Sequence, residues 1–225
     1  MLSLFLKDFL ILKRTILFAA IYPVILIVGF QNSGDVVFVI NLVAITYILL
    51  ISVCAYDEKN KADVLLNSLP ISRNKVVLAR YVSLYLFAVL AVFYYCVLVA
   101  LLGLTNLGVR ISPMTGQSLL IGVVLVSVMY GIYLPLFFKF GYIKTRIVGI
   151  ALFFVVFFGL GSLAQMITKV GQTADGSGNS FLQSLALMVN GLSSTQTVLC
   201  IVAVLFILVF LSFRMSLKIY RGKEF

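Results

Sequence analysis

The chain has 225 residues, of which 63% are hydrophobic and 11% charged, with a mean hydropathy of +1.18 and a net charge of +10. Soluble domains carry about 25% charged residues, so this composition excludes a soluble globular protein and predicts an all-α integral membrane protein. Histidine is absent and the cysteines show no paired spacing, which argues against a zinc site and a disulfide framework.

The first fourteen residues place apolar side chains at helical spacing beside a polar face. Leu2, Phe5 and Phe9 recur every three or four positions, whereas Lys7 lies on another side. This pattern predicts an amphipathic helix in the membrane interface over residues 1–14. The alternative is a signal peptide, but no A-x-A-like site follows and the next apolar run is long for one.

Six apolar stretches reach the roughly 20 residues that a membrane span requires. They cover about residues 15–32, 36–56, 80–103, 117–138, 146–167 and 196–214. We expect bends at Pro23 and near Pro135, where each proline leaves a carbonyl group that neighbouring helices must satisfy.

The distribution of Lys and Arg predicts the orientation of these spans. If both termini are cytoplasmic, 15 of the 17 basic residues lie inside and only Arg110 and Lys169 lie outside. The positive charge is then a topology signal that attracts anionic membrane lipids, and nucleic acid is not needed as a partner.

The longest predicted outer connection contains a short apolar helix over residues 181–192. It is too short to span, so it is expected to lie on the outer leaflet or to enter it from outside. A surface helix packed on the protein itself, without a role in transport, explains the same pattern equally well.

Motifs for catalysis and nucleotide binding are missing from the sequence. There is no G-x-x-x-x-G-K-[ST] string, so the chain does not hydrolyse ATP by that route, and the predicted spans contain no acidic residue. We therefore predict no catalytic residue, no metal and no cofactor in this chain. The cysteines are expected to be small core residues: Cys54, Cys96 and Cys200.

Uncharged polar residues inside the spans are candidates for lining a substrate path. Those singled out are Asn41, Thr46, Tyr47, Tyr94 and Tyr130, with Tyr95 and Tyr133 as further members. Interhelical hydrogen bonding is the favoured alternative, because polar side chains in membrane helices commonly have that role. Tyrosines at the cytoplasmic edges are expected to form an aromatic belt: Tyr56, Tyr81, Tyr142 and Tyr220.

The connection over residues 57–79 is the one long polar insertion between spans. Asn60 is suited to cap a short helix that Pro70 ends, and Ser72 is suited to cap a second helix that continues into the third span. Leu65, Leu66 and Leu69 are expected to share one face of the short helix. That face predicts either a docking surface for a soluble partner or contact with lipid.

This connection resembles the first cytoplasmic loop of type-2 ABC transporter permeases. The resemblance rests on the acidic pair Asp57 and Glu58, the string Ser68-Leu69-Pro70-Ile71-Ser72-Arg73, and the basic Arg80 that opens the third span. The glycine that often follows the acidic pair in that family is absent. The small size is similar to bacterial exporters of antimicrobial or amphipathic peptides.

The resemblance implies a permease in the bacterial cytoplasmic membrane that works as a dimer with two copies of a separate ATPase. ATP and Mg²⁺ would be bound by that ATPase. The residues implied in coupling to it are Asp57, Glu58, Asp63, Leu65, Leu66, Leu69, Pro70, Arg73 and Arg80. The alternative function is a stand-alone membrane immunity or lipid-binding protein with no ATPase partner.

Overall fold

The computed structural model describes residues 12, 15, 21–29, 36–60, 72–104, 114–172 and 194–222. These residues form helices only: α1 (Ile21–Gly29), α2 (Val36–Lys59), α3 (Arg73–Leu104), α4 (Gly116–Gln172) and α5 (Ser194–Arg221). Four of them, α2 to α5, contain stretches long and apolar enough to cross a membrane. The predicted all-α membrane fold is therefore confirmed, and the count of six spans stays a prediction.

The observed helices agree with the apolar stretches in the sequence. The second, third and sixth predicted spans lie within α2, α3 and α5, and the fourth and fifth both lie within α4. Helix α3 begins at Arg73, directly after the predicted cap Ser72. Three predicted elements fall outside the described residues: the interfacial helix except for Leu12, the short helix before Pro70, and the helix over 181–192.

Helix α4 is a hairpin with two arms, residues 116–140 and 142–172. Its 57 residues would extend roughly 85 Å as a straight helix, far more than a bilayer of about 30 Å. Tyr133 and Gly149 would then be about 24 Å apart, yet a Cβ atom on Gly149 would lie 2.8 Å from the Tyr133 ring. Thr145 also donates a hydrogen bond back to the Leu136 carbonyl at 3.2 Å.

The hairpin turns at Gly141, whose backbone has φ 77° and ψ 178°. This region of the backbone map is essentially closed to residues with a Cβ atom. Glycine therefore permits the reversal, and the two arms pack against each other on either side of it. We refer to residues 139–146 as the apex of α4.

The bend expected near Pro135 stays a prediction, and the non-helical backbone inside α4 lies six residues later, at Gly141. Pro135 has no N–H group for the carbonyl of Gly131, four residues before it. Ser212 of α5 donates a hydrogen bond to that carbonyl at 2.7 Å. The expectation that a neighbouring helix satisfies the freed carbonyl is thus confirmed.

The same serine belongs to a chain of hydroxyl groups that joins three helices. Tyr81 of α3 lies 2.6 Å from the Ser212 hydroxyl and 2.9 Å from that of Ser216. Because the Ser212 proton is used on Gly131, Tyr81 donates to Ser212, and Ser216 in turn donates to Tyr81. We call Tyr81, Ser212, Ser216 and the Gly131 carbonyl the hydroxyl chain.

Burial corrects two further expectations. Tyr81 and Tyr220 are buried between helices, so they are not anchors of an interfacial belt, whereas Tyr56 is exposed as an anchor requires. Among the cysteines only Cys54 is in the core, and Cys96 and Cys200 are exposed on the outer faces of their helices. Apolar composition alone did not distinguish inward from outward positions, because both faces of a membrane helix are apolar.

Candidate functional site

One end of the helical bundle collects nearly all of the positive charge. The end of α2, the start of α3, the apex of α4 and the end of α5 meet there through side-chain contacts. Within the described segments, ten of the eleven Lys and Arg residues lie at this end, and Lys169 lies in the distal part of α4. We call it the basic end.

Asp57 and Arg80 join α2 to α3 at the basic end. Their carboxylate and guanidinium form an ion pair and hydrogen bond, and both side chains are nearly buried, 7% and 10% exposed. The Arg80 guanidinium also lies 5.9 Å from the ring centroid of Phe137 on α4. The pair bridges the two ends of the connection between Lys59 and Arg73, because Asp57 precedes the connection in sequence and Arg80 follows it.

Glu58, the next residue, joins α2 to the apex of α4. Its carboxylate accepts a hydrogen bond from the backbone N–H of Tyr142, the first residue after the turn at Gly141. The N–H groups of a helix's first turn have no partner within the helix, and its N-terminal end carries partial positive charge. Glu58 therefore caps the second arm of α4 both by hydrogen bonding and by charge.

Arg73 and Arg221 join α3 to the end of α5. Arg73 donates a hydrogen bond to the Arg221 carbonyl at 2.7 Å, which satisfies a carbonyl that has no partner within the helix. The Arg221 guanidinium donates in return to the Asn74 side chain at 3.0 Å. Both bonds are exposed, so each contributes less than the buried pair.

These contacts locate four of the nine residues predicted to couple to an ATPase. Asp57, Glu58, Arg73 and Arg80 hold the two sides of the connection to each other, to the apex of α4 and to α5. The other five lie outside the described residues, and their role stays a prediction: Asp63, Leu65, Leu66, Leu69 and Pro70.

The residues predicted to line a path form two groups at different depths. Tyr47 and Tyr130 belong to a cluster with Tyr133, close to the apex of α4 and beside Gly149. Asn41 lies about 9 Å further along α2, where Leu42 packs on Gly122 of α4.

Thr46 and Tyr94 are the remaining two members of the predicted set. The hydroxyl of Thr46 donates to the Leu42 carbonyl of its own helix at 2.6 Å, so it makes no tie between helices. Tyr94 is half-buried on α3. The role of these residues in lining a path stays a prediction.

Several buried polar atoms of this middle region have no hydrogen-bond partner among the described residues. They are both side-chain atoms of Asn41 and the hydroxyl groups of Tyr47 and Tyr130. A buried hydroxyl or amide without a partner costs about 1–3 kcal/mol. The favoured explanation of these residues as interhelical hydrogen-bonding groups is consequently wrong for Asn41, Tyr47 and Tyr130 in this conformation.

The sequence reasoning missed the hydroxyl chain and the turn at Gly141. One signal was available for the first: Pro135 marks the carbonyl four residues earlier as unpaired, and α5 carries Ser212 and Ser216 on one face. No local signal identified the partner, because Ser212 is 81 residues away from Gly131.

The bundle defines a polytopic helical membrane protein whose charged contacts gather at one end. A family model described as ABC-2 family transporter protein matches residues 3–221, and the chain belongs to that family. It is therefore the membrane permease component of an ABC transporter, and membership of the family implies an ABC ATPase as partner. No curated protein and no solved structure gave a significant match.

Proposed function

We propose that the chain exports amphipathic or antimicrobial peptides, as one of two permeases coupled to two ATPase copies that bind ATP and Mg²⁺. The basic end faces the cytoplasm, both termini are cytoplasmic, and the connection over 57–79 docks on the ATPase. The excess of Lys and Arg at this end supports the orientation.

The observation that carries the proposal is how the connection is attached. Asp57 and Arg80 bridge its two sides, Glu58 holds the apex of α4, and Arg73 holds the end of α5. A displacement of the connection therefore acts on four helices at once. A loop that only linked two spans would not require contacts with α4 and α5.

Docking is expected to depend on the leucine face of the short helix. Burying a leucine side chain is worth roughly 1.5–3 kcal/mol, so losing two weakens docking by orders of magnitude. Leu65→Ser with Leu69→Ser should leave a membrane-inserted protein that no longer retains an ABC ATPase through purification. Asp63→Asn is the control, because an exposed ion pair contributes only about 0–1 kcal/mol.

Retention of the ATPase and of transport by the leucine double variant would show that the leucine face contacts lipid. Purification of the unaltered chain without any ATPase would favour the stand-alone immunity or lipid-binding function.

The substrate class is supported by the apolar character of the helices. The 18-residue windows of the four candidate spans have mean hydropathy between 2.3 and 2.8, which suits an amphipathic or lipid-like substrate better than a hydrophilic one. Cells that lack the protein should retain a fluorescent amphipathic peptide or become sensitive to it. Unchanged retention and sensitivity across a panel of such peptides would contradict the substrate class.

A further inference from the structure

Two adjacent carboxylates at the end of α2 contact different helices. Asp57 binds Arg80 on α3, whereas Glu58 binds the Tyr142 N–H at the apex of α4. Neighbouring residues on a helix point about 100° apart, so one helix end can hold two separate partners. The division of contacts suggests a division of roles.

Glu58 forms a polar link between α2 and the apex of α4. Its carboxylate oxygens lie 3.4 and 3.8 Å from the position that a Cβ atom on Gly141 would occupy. A Cβ atom at these distances would make ordinary van der Waals contact, so the turn requires glycine for its backbone conformation, and the contact needs that turn as well as an acceptor at position 58. Both features act on the same N–H group.

The hairpin itself does not depend on Glu58 for its closure. Thr145 donates to the Leu136 carbonyl across the turn, and Gly149 packs directly on the ring of Tyr133. Removing the Glu58 carboxylate would therefore break this link between α2 and the apex and leave the two arms of α4 together. This distinguishes a loss of transmission from a loss of folding.

We propose that Glu58 is a positioning residue for coupling, which makes the α4 hairpin follow the movement of the ATPase-docking connection. Asp57 and Arg80 transmit that movement to α3, and Glu58 transmits it to α4. The inference rests on the proposed docking of the ATPase on this connection. It assigns to Glu58 an internal role, acting through the backbone of Tyr142.

The test uses the permease and its co-purified ABC ATPase in lipid nanodiscs, with amide hydrogen exchange measured before and after addition of a non-hydrolysable ATP analogue. In the unaltered complex the analogue should change exchange both at the start of α3 and over residues 142–148. Glu58→Ala should retain the ATPase and the response of α3, and should lose the response over 142–148.

Conservative and neighbouring variants separate positioning from general structure. Glu58→Gln keeps an oxygen that accepts from Tyr142, so it should recover the nucleotide response over 142–148 at least in part. Lys59→Ala, at the exposed adjacent position, should behave as the unaltered protein. ATP-driven transport of a fluorescent amphipathic peptide, per ATP hydrolysed, should fall about tenfold in Glu58→Ala, which corresponds to roughly 1.4 kcal/mol.

Three results would overturn this inference. They are an unaltered complex that shows no nucleotide response over 142–148, a Glu58→Ala complex with the full response, and a Glu58→Ala protein that loses its ATPase. The last would make Glu58 part of docking. The proposed function fails separately, if the leucine double variant keeps its ATPase.

Discussion

The basic end and the buried middle of the bundle differ in whether polar side chains have partners on other helices. At the basic end, Asp57, Glu58 and Arg73 each have a partner on another helix. In the middle, Asn41 and Tyr130 are fully buried and their polar side-chain atoms have no partner among the described residues. The same helices pass through both regions.

The difference indicates in which region the relative positions of the helices are fixed by polar contacts. Buried polar links between helices fix their relative positions, because breaking one leaves unpaired groups behind. Unpaired groups in the middle lose nothing when the helices shift and gain if a new partner arrives. The proposed function, in which an ATPase acts on the basic end, is consistent with this combination.

The largest expected effect on the free energy of unfolding is at the buried ion pair of Asp57 and Arg80. Arg80→Ala leaves the Asp57 carboxylate buried without its cation and should lower the free energy of unfolding by about 3–5 kcal/mol. Equilibrium unfolding in mixed detergent micelles measures it, with Lys75→Ala at an exposed site as control. The double variant with Asp57→Ala should lose less than Arg80→Ala alone, and an equal or greater loss would contradict a paired role.

The turn of the α4 hairpin provides the next effect in size. Gly141→Ala places a Cβ atom in a backbone region that disfavours it, and should cost about 1–3 kcal/mol in the same unfolding measurement. Gly159→Ala is the matched control, because its Cβ atom would meet nothing within 4 Å in a helical position. A stability of Gly141→Ala equal to that control would show that the turn does not require glycine.

Substitutions in the hydroxyl chain should lower the free energy of unfolding by a smaller amount. The loss should be larger at Ser212 than at Ser216. Ser212→Ala removes the donor to Gly131 and the acceptor from Tyr81, and should cost about 1 kcal/mol, within the range for hydrogen bonds in membrane helices. Ser216→Ala removes one bond and should cost less. The reverse order would contradict a chain in which Ser212 makes two bonds and Ser216 makes one.

The smallest change in the free energy of unfolding is expected in the buried middle of the bundle. The test there is whether the change is stabilising or destabilising. Tyr130→Phe removes a buried hydroxyl without a partner, so the free energy of unfolding should stay the same or rise by up to about 1 kcal/mol. Tyr81→Phe is the matched variant with two bonds to lose, and should destabilise. A larger loss at Tyr130 than at Tyr81 would reverse the comparison.

Much of the helical framework was predictable, because membrane spans are set by apolar length and punctuated by local signals. The start of α3 after Ser72 follows from such a signal. The break in α4 did not, because the helix passes Pro135 with its freed carbonyl bonded by Ser212 and reverses instead at Gly141. The partner that bonds the freed carbonyl lies on another helix, which the local sequence does not reveal.

The sequence predicted which residues belong to the candidate site better than it predicted which partners they contact. The resemblance to type-2 ABC transporter permeases singled out Asp57, Glu58 and Arg80 as coupling residues, and that role stays a prediction. Their partners depend on how α2, α3 and α4 are rotated about their axes, which sequence periodicity leaves open when every face is apolar. For the same reason Tyr81 was predicted at the membrane surface and is buried between helices.

The most direct test of the account asks which side of the membrane the basic end faces. Single cysteines would replace Ser72 at the basic end and Met114 before α4, both exposed, in a variant without the native cysteines. A membrane-impermeant thiol reagent added to intact cells should label position 114 and label position 72 only after the membrane is opened. Labelling of position 72 in intact cells would place the connection outside, away from any ATPase, and would contradict the account.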